Sequence, residues 1–344
     1  MTADQPDNRP TDRPADRPND QTNDRSADPQ ADRPDDRPND QADDQRAVAI
    51  LMYHSVTDRP TPETRGLSVP VAAFADQMAH LAAEGFTPLP FSALGSAAHS
   101  RARRPVVITF DDGYADFHEN ALPILERHGF AATVFVTTGW LADAGADAAG
   151  RPLDRMLSWA QAAEAAAHGI EIGGHSHSHP QLDQLDDHAL REELVRSRDL
   201  LEERLGAPVR TMAYPFGYSS ARVRRMVRAV GYDTACAVAN RMAAGAADPL
   251  AVPRLTVRAT TRPRTFARVV EGRDIPLIFL KDHALTRAYA VVRRTRYALR
   301  RATAPHHALT SPRPSDPHRV PAPRRGNTPH PDEAPASESR ETRP

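Results

Sequence analysis

Between residues 47 and 238 the chain alternates short, almost continuous apolar runs with longer stretches whose apolar residues recur at helical spacing, the rhythm of a parallel sheet wrapped in helices. The run at 47–53, AVAILMY, lacks the polar alternation of a half-exposed strand and reads as one buried on both faces. The next stretch, 71–84, places Val71, Phe74, Met78 and Leu81 three or four apart, and Gly85 ends it. The same reading gives strands at 105–110, 132–136, 170–172, 210–214 and 234–238. Helices at 117–128, 158–168, 186–205 and 221–230 separate them, each followed by a glycine. These strands fit a closed barrel, although an open doubly wound sheet gives the same alternation. In both, functional side chains sit at the C-terminal ends of the strands.

The flanks cannot join such a core. Residues 1–46 cycle through Asp-Arg-Pro and Asn-Asp-Gln units with no large aliphatic or aromatic side chain after Met1, and residues 303–344 are dominated by Pro, His, Arg and Ser. Both are expected to be disordered, leaving one domain over 47–302. The 44 basic and 45 acidic residues nearly cancel, so net charge selects no partner. A single cysteine, Cys236, excludes an intramolecular disulfide and a Cys-based zinc knuckle, so any metal must be held by His and carboxylates. No basic start followed by an apolar run opens the chain, and no stretch reaches the ~18 apolar residues of a membrane span. The expectation is a cytoplasmic protein.

Two strand ends carry the chemistry. The strand at 105–110 runs into Asp111-Asp112-Gly113, and adjacent carboxylates at a strand end repel each other unless a cation or hydrogen-bond donor compensates them. The strand at 170–172 leads through Gly173-Gly174 into His175-Ser176-His177-Ser178-His179-Pro180, three histidines within five residues. Two imidazoles and a carboxylate make a metal site with an open position for water. His175 and His179, four apart, face the same way if the loop makes one helical turn, which assigns them as ligands and turns His177 elsewhere. A third strand end, Tyr214-Pro215-Phe216-Gly217, offers an aromatic pair around a fixed proline. It could wall a sugar-sized groove and present a backbone N–H to a developing oxyanion.

These residues, Thr109-Phe110-Asp111-Asp112-Gly113, His175-Ser176 with His179, and Tyr214-Pro215-Phe216-Gly217, resemble in order and separation the leading motifs of the polysaccharide deacetylases with the nodulation-type deacetylase domain, carbohydrate esterase family 4. The opening Leu51-Met52-Tyr53-His54 is similar to the branch containing the biofilm poly-N-acetylglucosamine deacetylases. The resemblance implies a distorted (β/α)7 barrel, a divalent metal (usually zinc), and hydrolysis of an N-acetyl group from an amino sugar. It implies Asp112, His175 and His179 as metal ligands, Asp111 as general base, and Phe216 as the donor of the oxyanion-stabilising N–H. It also implies His54 as the acid for the leaving amine, with His283 as its rival. The family commonly has an Arg two residues before the proline of the third motif to orient the base; here that position is Ala213.

From 275 to 301, Leu277, Phe279, Leu280, Leu285, Tyr289 and Val292 are interleaved with Arg287, Arg293, Arg294, Arg296, Arg300 and Arg301. Such a segment either packs on the barrel as a terminal helix or lies on an anionic membrane surface, a peripheral contact suited to a lipid-linked sugar. The expected partner is an N-acetylated carbohydrate. An ester- or formyl-sugar deacylase and a silent carbohydrate-binding barrel are the alternatives. Nucleic acid is not expected, because the Arg-rich end holds no recognition module.

Overall fold

The computed structural model describes residues 47–244 and 248–303. The segments expected to be disordered lie outside the described residues, except Thr303, which ends a helix. The strands are β1 (Ala49–Tyr53), β2 (Ser55–Val56), β3 (Ser68–Val69), β4 (Thr87–Leu89), β5 (Pro105–Phe110), β6 (Thr133–Val136), β7 (Glu171–Gly174), β8 (Thr211–Ala213), β9 (Thr234–Val238) and β10 (Val252–Thr256). The helices are α1 (Val71–Ala83), α2 (Ala97–Arg101), α3 (Leu122–His128), α4 (Trp159–Ala167), α5 (Asp187–Leu205), α6 (Ala221–Val230), α7 (Pro263–Val270), α8 (Ile275–Ile278) and α9 (Leu280–Thr303).

Seven parallel strands close a ring in the order β1-β5-β6-β7-β8-β9-β10, and β10 returns to β1. The distorted (β/α)7 barrel is therefore what the chain builds. Its distortion has a local cause. β5 pairs along its whole length with β1, from Ala49↔Val106 to Tyr53↔Phe110, but shares its other edge between two neighbours. β4 takes Pro105 to Val107, and β6 takes only Thr109 and Phe110. β4 thus stands outside the ring and parts β5 from β6 at the base of the barrel. There the Glu171 carboxylate accepts hydrogen bonds from Thr133 Oγ1 (3.0 Å), Thr211 Oγ1 (2.7 Å) and Ser92 N–H (3.0 Å).

Strand parity explains the unbroken apolar runs. In β1, Ile50 points into the barrel with Val107, Phe135, Ala213, Cys236 and Val252, while Ala49, Leu51 and Tyr53 pack outward under the helices. Following β5 inward from Val107 brings Thr109 and then Asp111 to the top of the barrel interior. Following β10 inward from Val252 brings Arg254. Gly173 and Gly174 extend β7 beyond its expected end because the space a side chain needs is already filled. A Cβ on Gly173 would lie 2.6 Å from the Phe135 ring, and one on Gly174 2.4 Å from the Tyr232 hydroxyl.

The helices follow their caps. Ser158 and Gln161 form a reciprocal capping box at α4, Asp186 caps α5, Ser220 caps α6, and left-handed Gly129, Gly206 and Gly231 end α3, α5 and α6. The single helix expected over 117–128 is instead a π-turn (Phe117–Ala121) leading into α3. Pro123 has no N–H for the ordinary helical ladder, so the register changes before it. β10 went unread in the sequence because Pro253 and Arg254 interrupt its apolar pattern. No helix among the described residues is long and apolar enough to cross a membrane.

Candidate metal centre and active site

The C-terminal ends of the barrel strands gather the loops after β1, β5, β7 and β8. Asp111 and Asp112 leave β5 buried, each 3 % exposed, and the Asp111 N–H bonds the Tyr53 carbonyl at 3.0 Å. Asp112 takes φ 74°, which turns its carboxylate away from that of Asp111 and across to the loop after β7. Asp112 Oδ1 stands 3.3 Å from His175 Nε2 and 3.2 Å from His179 Nε2.

The two imidazoles converge, but not by the helical turn the spacing suggested. Ser176 (φ 63°) and His179 (φ 60°) are both left-handed, and the loop reverses on itself. Left-handed non-glycine residues cost about 1–3 kcal/mol each and persist only where their surroundings hold them. The restraint comes from α5. One Glu193 oxygen accepts the N–H groups of His177 (3.0 Å) and Ser178 (2.8 Å), and the other accepts Ser178 Oγ (2.5 Å). On the far side the His177 carbonyl receives Gly139 N–H at 2.8 Å, and a Cβ on Gly139 would meet that oxygen at 2.6 Å. His177 is turned away from Asp112 and buried, with Nδ1 2.9 Å from Thr138 Oγ1.

The donor set fits a divalent cation. His175 Nδ1 lies 2.8 Å from the Ala213 carbonyl, so it carries the proton and leaves the Nε2 lone pair facing inward. Asp112 Oδ1 is buried without a hydrogen-bond partner, with both imidazole nitrogens directed at it. Two atoms bound tetrahedrally at ~2.1 Å to one zinc stand ~3.4 Å apart, close to the spacing here. Asp112, His175 and His179 are the residues that would hold it, and three protein ligands leave a fourth position open. The rings of Trp140 (4.8 Å between centroids) and Phe216 (4.7 Å) flank His179.

Beside this triad lies a group that sequence reading missed. Arg254 on β10, with no exposed surface, grips Asp111 through Nη1–Oδ1 at 2.6 Å and Nη2–Oδ2 at 2.7 Å, with Thr109 Oγ1 a further 3.1 Å contact. The departure at Ala213 therefore does not leave the carboxylate without a cation; the guanidinium arrives from another strand of the same ring. Its one sequence signal was a lone charge inside an apolar stretch, Leu250-Ala251-Val252-Pro253-Arg254-Leu255. Burial pushes the Asp111 pKa up, but the charge of Arg254, reinforced by His175, brings it below the ordinary carboxylate range. For Asp112 burial acts the same way, and the adjacent His175 and His179 imidazoles hold it well below that range.

His54 Nε2 is 4.0 Å from Asp111 Oδ2, and burial lowers its pKa despite the Asp112 and Asp111 charges. The next residue fixes its strand end, because Ser55 Oγ donates to Asp116 at 2.5 Å and Val56 N–H to the same carboxylate at 3.1 Å. His283 lies in the first turn of α9, and His54 is the imidazole that faces Asp111. Of the aromatic-proline segment, only Phe216 reaches solvent, 51 % exposed at φ 60°. Tyr214 and Pro215 are buried, and the Tyr214 hydroxyl donates to the Leu250 carbonyl at 2.8 Å. Tyr214 thus supports the groove from behind and does not line it.

Residues 98–235 match the family model for polysaccharide deacetylases. The matched span contains Asp111, Asp112, His175, His179 and Phe216, whereas His54 and Arg254 lie outside it. Among solved structures, the Streptococcus pyogenes deacetylase PplD in complex with acetate is 25% identical with a TM-score of 0.59, over 66% of this chain and 99% of that one. The Bacillus subtilis protein YxkH is 28% identical over 189 residues, 54% of this chain and 62% of its own length. An Escherichia coli K12 protein named poly-beta-1,6-N-acetyl-D-glucosamine N-deacetylase is 23% identical over 257 residues, 64% of this chain and 38% of that protein. The chain thus spans less than two thirds of either curated relative.

Proposed function

We propose that this protein hydrolyses N-acetyl groups from an N-acetylated amino sugar, in a poly- or oligosaccharide or a lipid-linked glycan, with zinc held by Asp112, His175 and His179. The observation that carries this reading is one buried constellation. Three side chains able to hold a cation, Asp112, His175 and His179, stand beside Asp111, and the Asp111 carboxylate faces an imidazole, His54, at 4.0 Å. The family match and the likeness to the Escherichia coli protein, whose name gives it an N-acetylglucosamine polymer, support the substrate class.

A cation in the triad would polarise the acetyl carbonyl and lower the pKa of water, which matters because a carboxylate as acidic as Asp111 is a weak base for ordinary water. Arg254 occupies one lone pair on each Asp111 oxygen, keeping the group ionised and fixed in direction. Asp111 Oδ2, on the His54 side, takes the proton as the water oxygen bonds to the acetyl carbon. The Phe216 N–H donates to the oxyanion, and the left-handed Phe216 backbone sets that N–H at the rim. As the C–N bond breaks, the departing nitrogen takes a proton through His54, which is made good by the proton Asp111 removed from the water, leaving acetate, a free amine and both groups in their starting states.

The test is acetate release by the zinc-loaded full chain from N-acetylglucosamine oligosaccharides, with an O-acetylated xylan and an N-formyl amino sugar in parallel and Asp111→Asn as the control. Acetate from the N-acetyl sugar, lost in Asp111→Asn, supports the reading. Turnover of the ester or formyl substrate alone replaces the acyl group, and no turnover with zinc bound points to the silent carbohydrate-binding barrel.

A further inference from the structure

We propose that α8 and α9 form a docking surface for an anionic lipid bilayer at the mouth of the metal site, so that the sugar is taken from a membrane-anchored carrier; the carrier half rests on the deacetylase reading, and the docking half does not. The large apolar side chains most exposed on the described protein, Phe216 aside, are gathered here: Leu277 (70 %), Leu280 (62 %), Leu285 (59 %), Tyr289 (57 %) and Val292 (46 %). Leu285, Tyr289 and Val292 are spaced four and three apart, so they share one helical face. The adjoining face is the packed one, where Arg293 pairs with Asp183 at 2.8 Å and Arg222 lies 5.2 Å above the Tyr297 ring. The apolar stripe is thus turned outward by the contacts that hold the helix down, and is not the core face of an undocked element.

The same contacts place α9 on the catalytic rim. Asp282 is held by Arg258, just beyond the end of β10, at 2.6 Å. Eleven residues on, Arg293 meets the loop after β7 through Asp183 and lies 3.2 Å over the ring of Tyr218, beyond β8. Tyr218 stacks on Phe216 at 6.1 Å, and Phe216 lies tilted against His179 at 4.7 Å. The helix that carries the stripe is therefore linked, through Arg293 on its packed face, to His179 by three successive ring contacts, and a surface lying on the adjoining stripe would lie beside the open end of the site.

Charge selects the occupant. From 275 to 303 the sequence carries Lys281, Arg287, Arg293, Arg294, Arg296, Arg300 and Arg301 against the single acid Asp282, which Arg258 already neutralises. An apolar stripe within a strongly cationic helix is the pattern that binds headgroups and the acyl boundary of an anionic leaflet together. A second copy of this face would oppose like charge to like charge. Residues 304–344 offer only Leu309 and Val320 as large aliphatic side chains, and residues 1–46, though rich in Asp, have nothing after Met1 to fill the stripe.

The experiment uses the zinc-loaded full chain, sedimented with phosphatidylcholine vesicles with and without phosphatidylglycerol, for wild type and Leu285→Glu/Tyr289→Glu. Both side chains are exposed, so the fold should tolerate the change, and thermal unfolding checks that it does. The expected result is binding only to the anionic vesicles, weakened roughly tenfold or more in the variant and by added salt. Acetate release from a water-soluble N-acetyl oligosaccharide should be equal in the two proteins. Release from a lipid-anchored N-acetyl sugar in those vesicles should fall in the variant. Wild type left in the supernatant, or equal sedimentation of the two proteins, overturns the docking surface whether or not acetate is released. A dimer dispersed by the double substitution makes a second copy the occupant, and vesicle binding that appears only on removing residues 1–46 makes that segment the occupant; either overturns the proposal as stated. Anionic-vesicle binding lost in the variant, with no acetate from either sugar, upholds the docking surface and removes the deacetylase reading beneath the carrier.

Discussion

Replacing Arg254 with Met keeps most of the side-chain volume and removes the charge. Asp111, 3 % exposed and gripped at 2.6 and 2.7 Å, is left as a buried carboxylate without its cation. Breaking one side of a buried pair costs about 3–5 kcal/mol. At about 2–4 °C per kcal/mol for a domain of this size, the midpoint of thermal unfolding should fall by roughly 6–20 °C. Removing both charges, in Asp111→Asn/Arg254→Met, should restore much of that loss, because neither partner then remains buried and unpaired. The pH dependence follows from the same pair. In the wild type the Asp111 pKa is lowered, because Arg254 outweighs burial. Its ionisation stabilises the fold above the unfolded carboxylate pKa, and that contribution is lost as pH falls through the folded value. Without Arg254, burial dominates and the folded pKa rises above the unfolded one, so ionisation with rising pH becomes destabilising. The acid limb of kcat/KM must move to higher pH with it. Thermal scans of the two single variants and the double variant, with a pH–rate profile of Arg254→Met, make the assay. Strictly additive single losses, or an acid limb that does not move, would refute the argument that Arg254 keeps Asp111 ionised.

Glu193→Gln keeps the shape of the clamp but replaces a carboxylate that accepts three hydrogen bonds with an amide; zinc affinity by chelator competition should drop about 10–100-fold, and an unchanged affinity would show the ligand loop is held by other contacts. His54→Ala should reduce kcat by about 10²–10⁴ at unchanged zinc stoichiometry, and a loss under about tenfold would hand proton delivery to another group. Gly173→Ala places a Cβ 2.6 Å from the Phe135 ring and 2.8 Å from Thr211 Oγ1, so denaturant unfolding should show a loss of about 1–3 kcal/mol; an unshifted midpoint would contradict the packing given for β7.

The strands that were legible in the sequence are those whose residues are apolar on both faces, such as β1, β5 and β9, because barrel interior and helix layer both demand it. β10 was not legible for the opposite reason: its inward position at the top of the barrel must carry the cation that Asp111 needs, and a charge in a strand erases the pattern that reveals one. His175 and His179 do converge, but not for the reason their spacing offers. Spacing suggested a helical turn, whereas the convergence depends on left-handed Ser176 and His179 held by Glu193, a residue on a helix far along the chain. Tyr214 read as groove wall because its neighbours are proline and phenylalanine; only the Leu250 carbonyl, supplied by the fold, shows why its hydroxyl is buried. The segment at 275–301 packs on the rim by one face, as a terminal helix does, and leaves another exposed; the sequence pattern alone does not tell which residues fall on which.

The proposed reaction stands or falls with a cation held by Asp112, His175 and His179. The most direct measurement strips metal from the full chain with a chelator, adds zinc back stepwise, and follows acetate released from an N-acetylglucosamine oligosaccharide. Release should stop on stripping, return in proportion to zinc up to one equivalent, and fail to return in His175→Ala. Release that persists without metal, or no release at one bound equivalent from any acylated sugar, would contradict it.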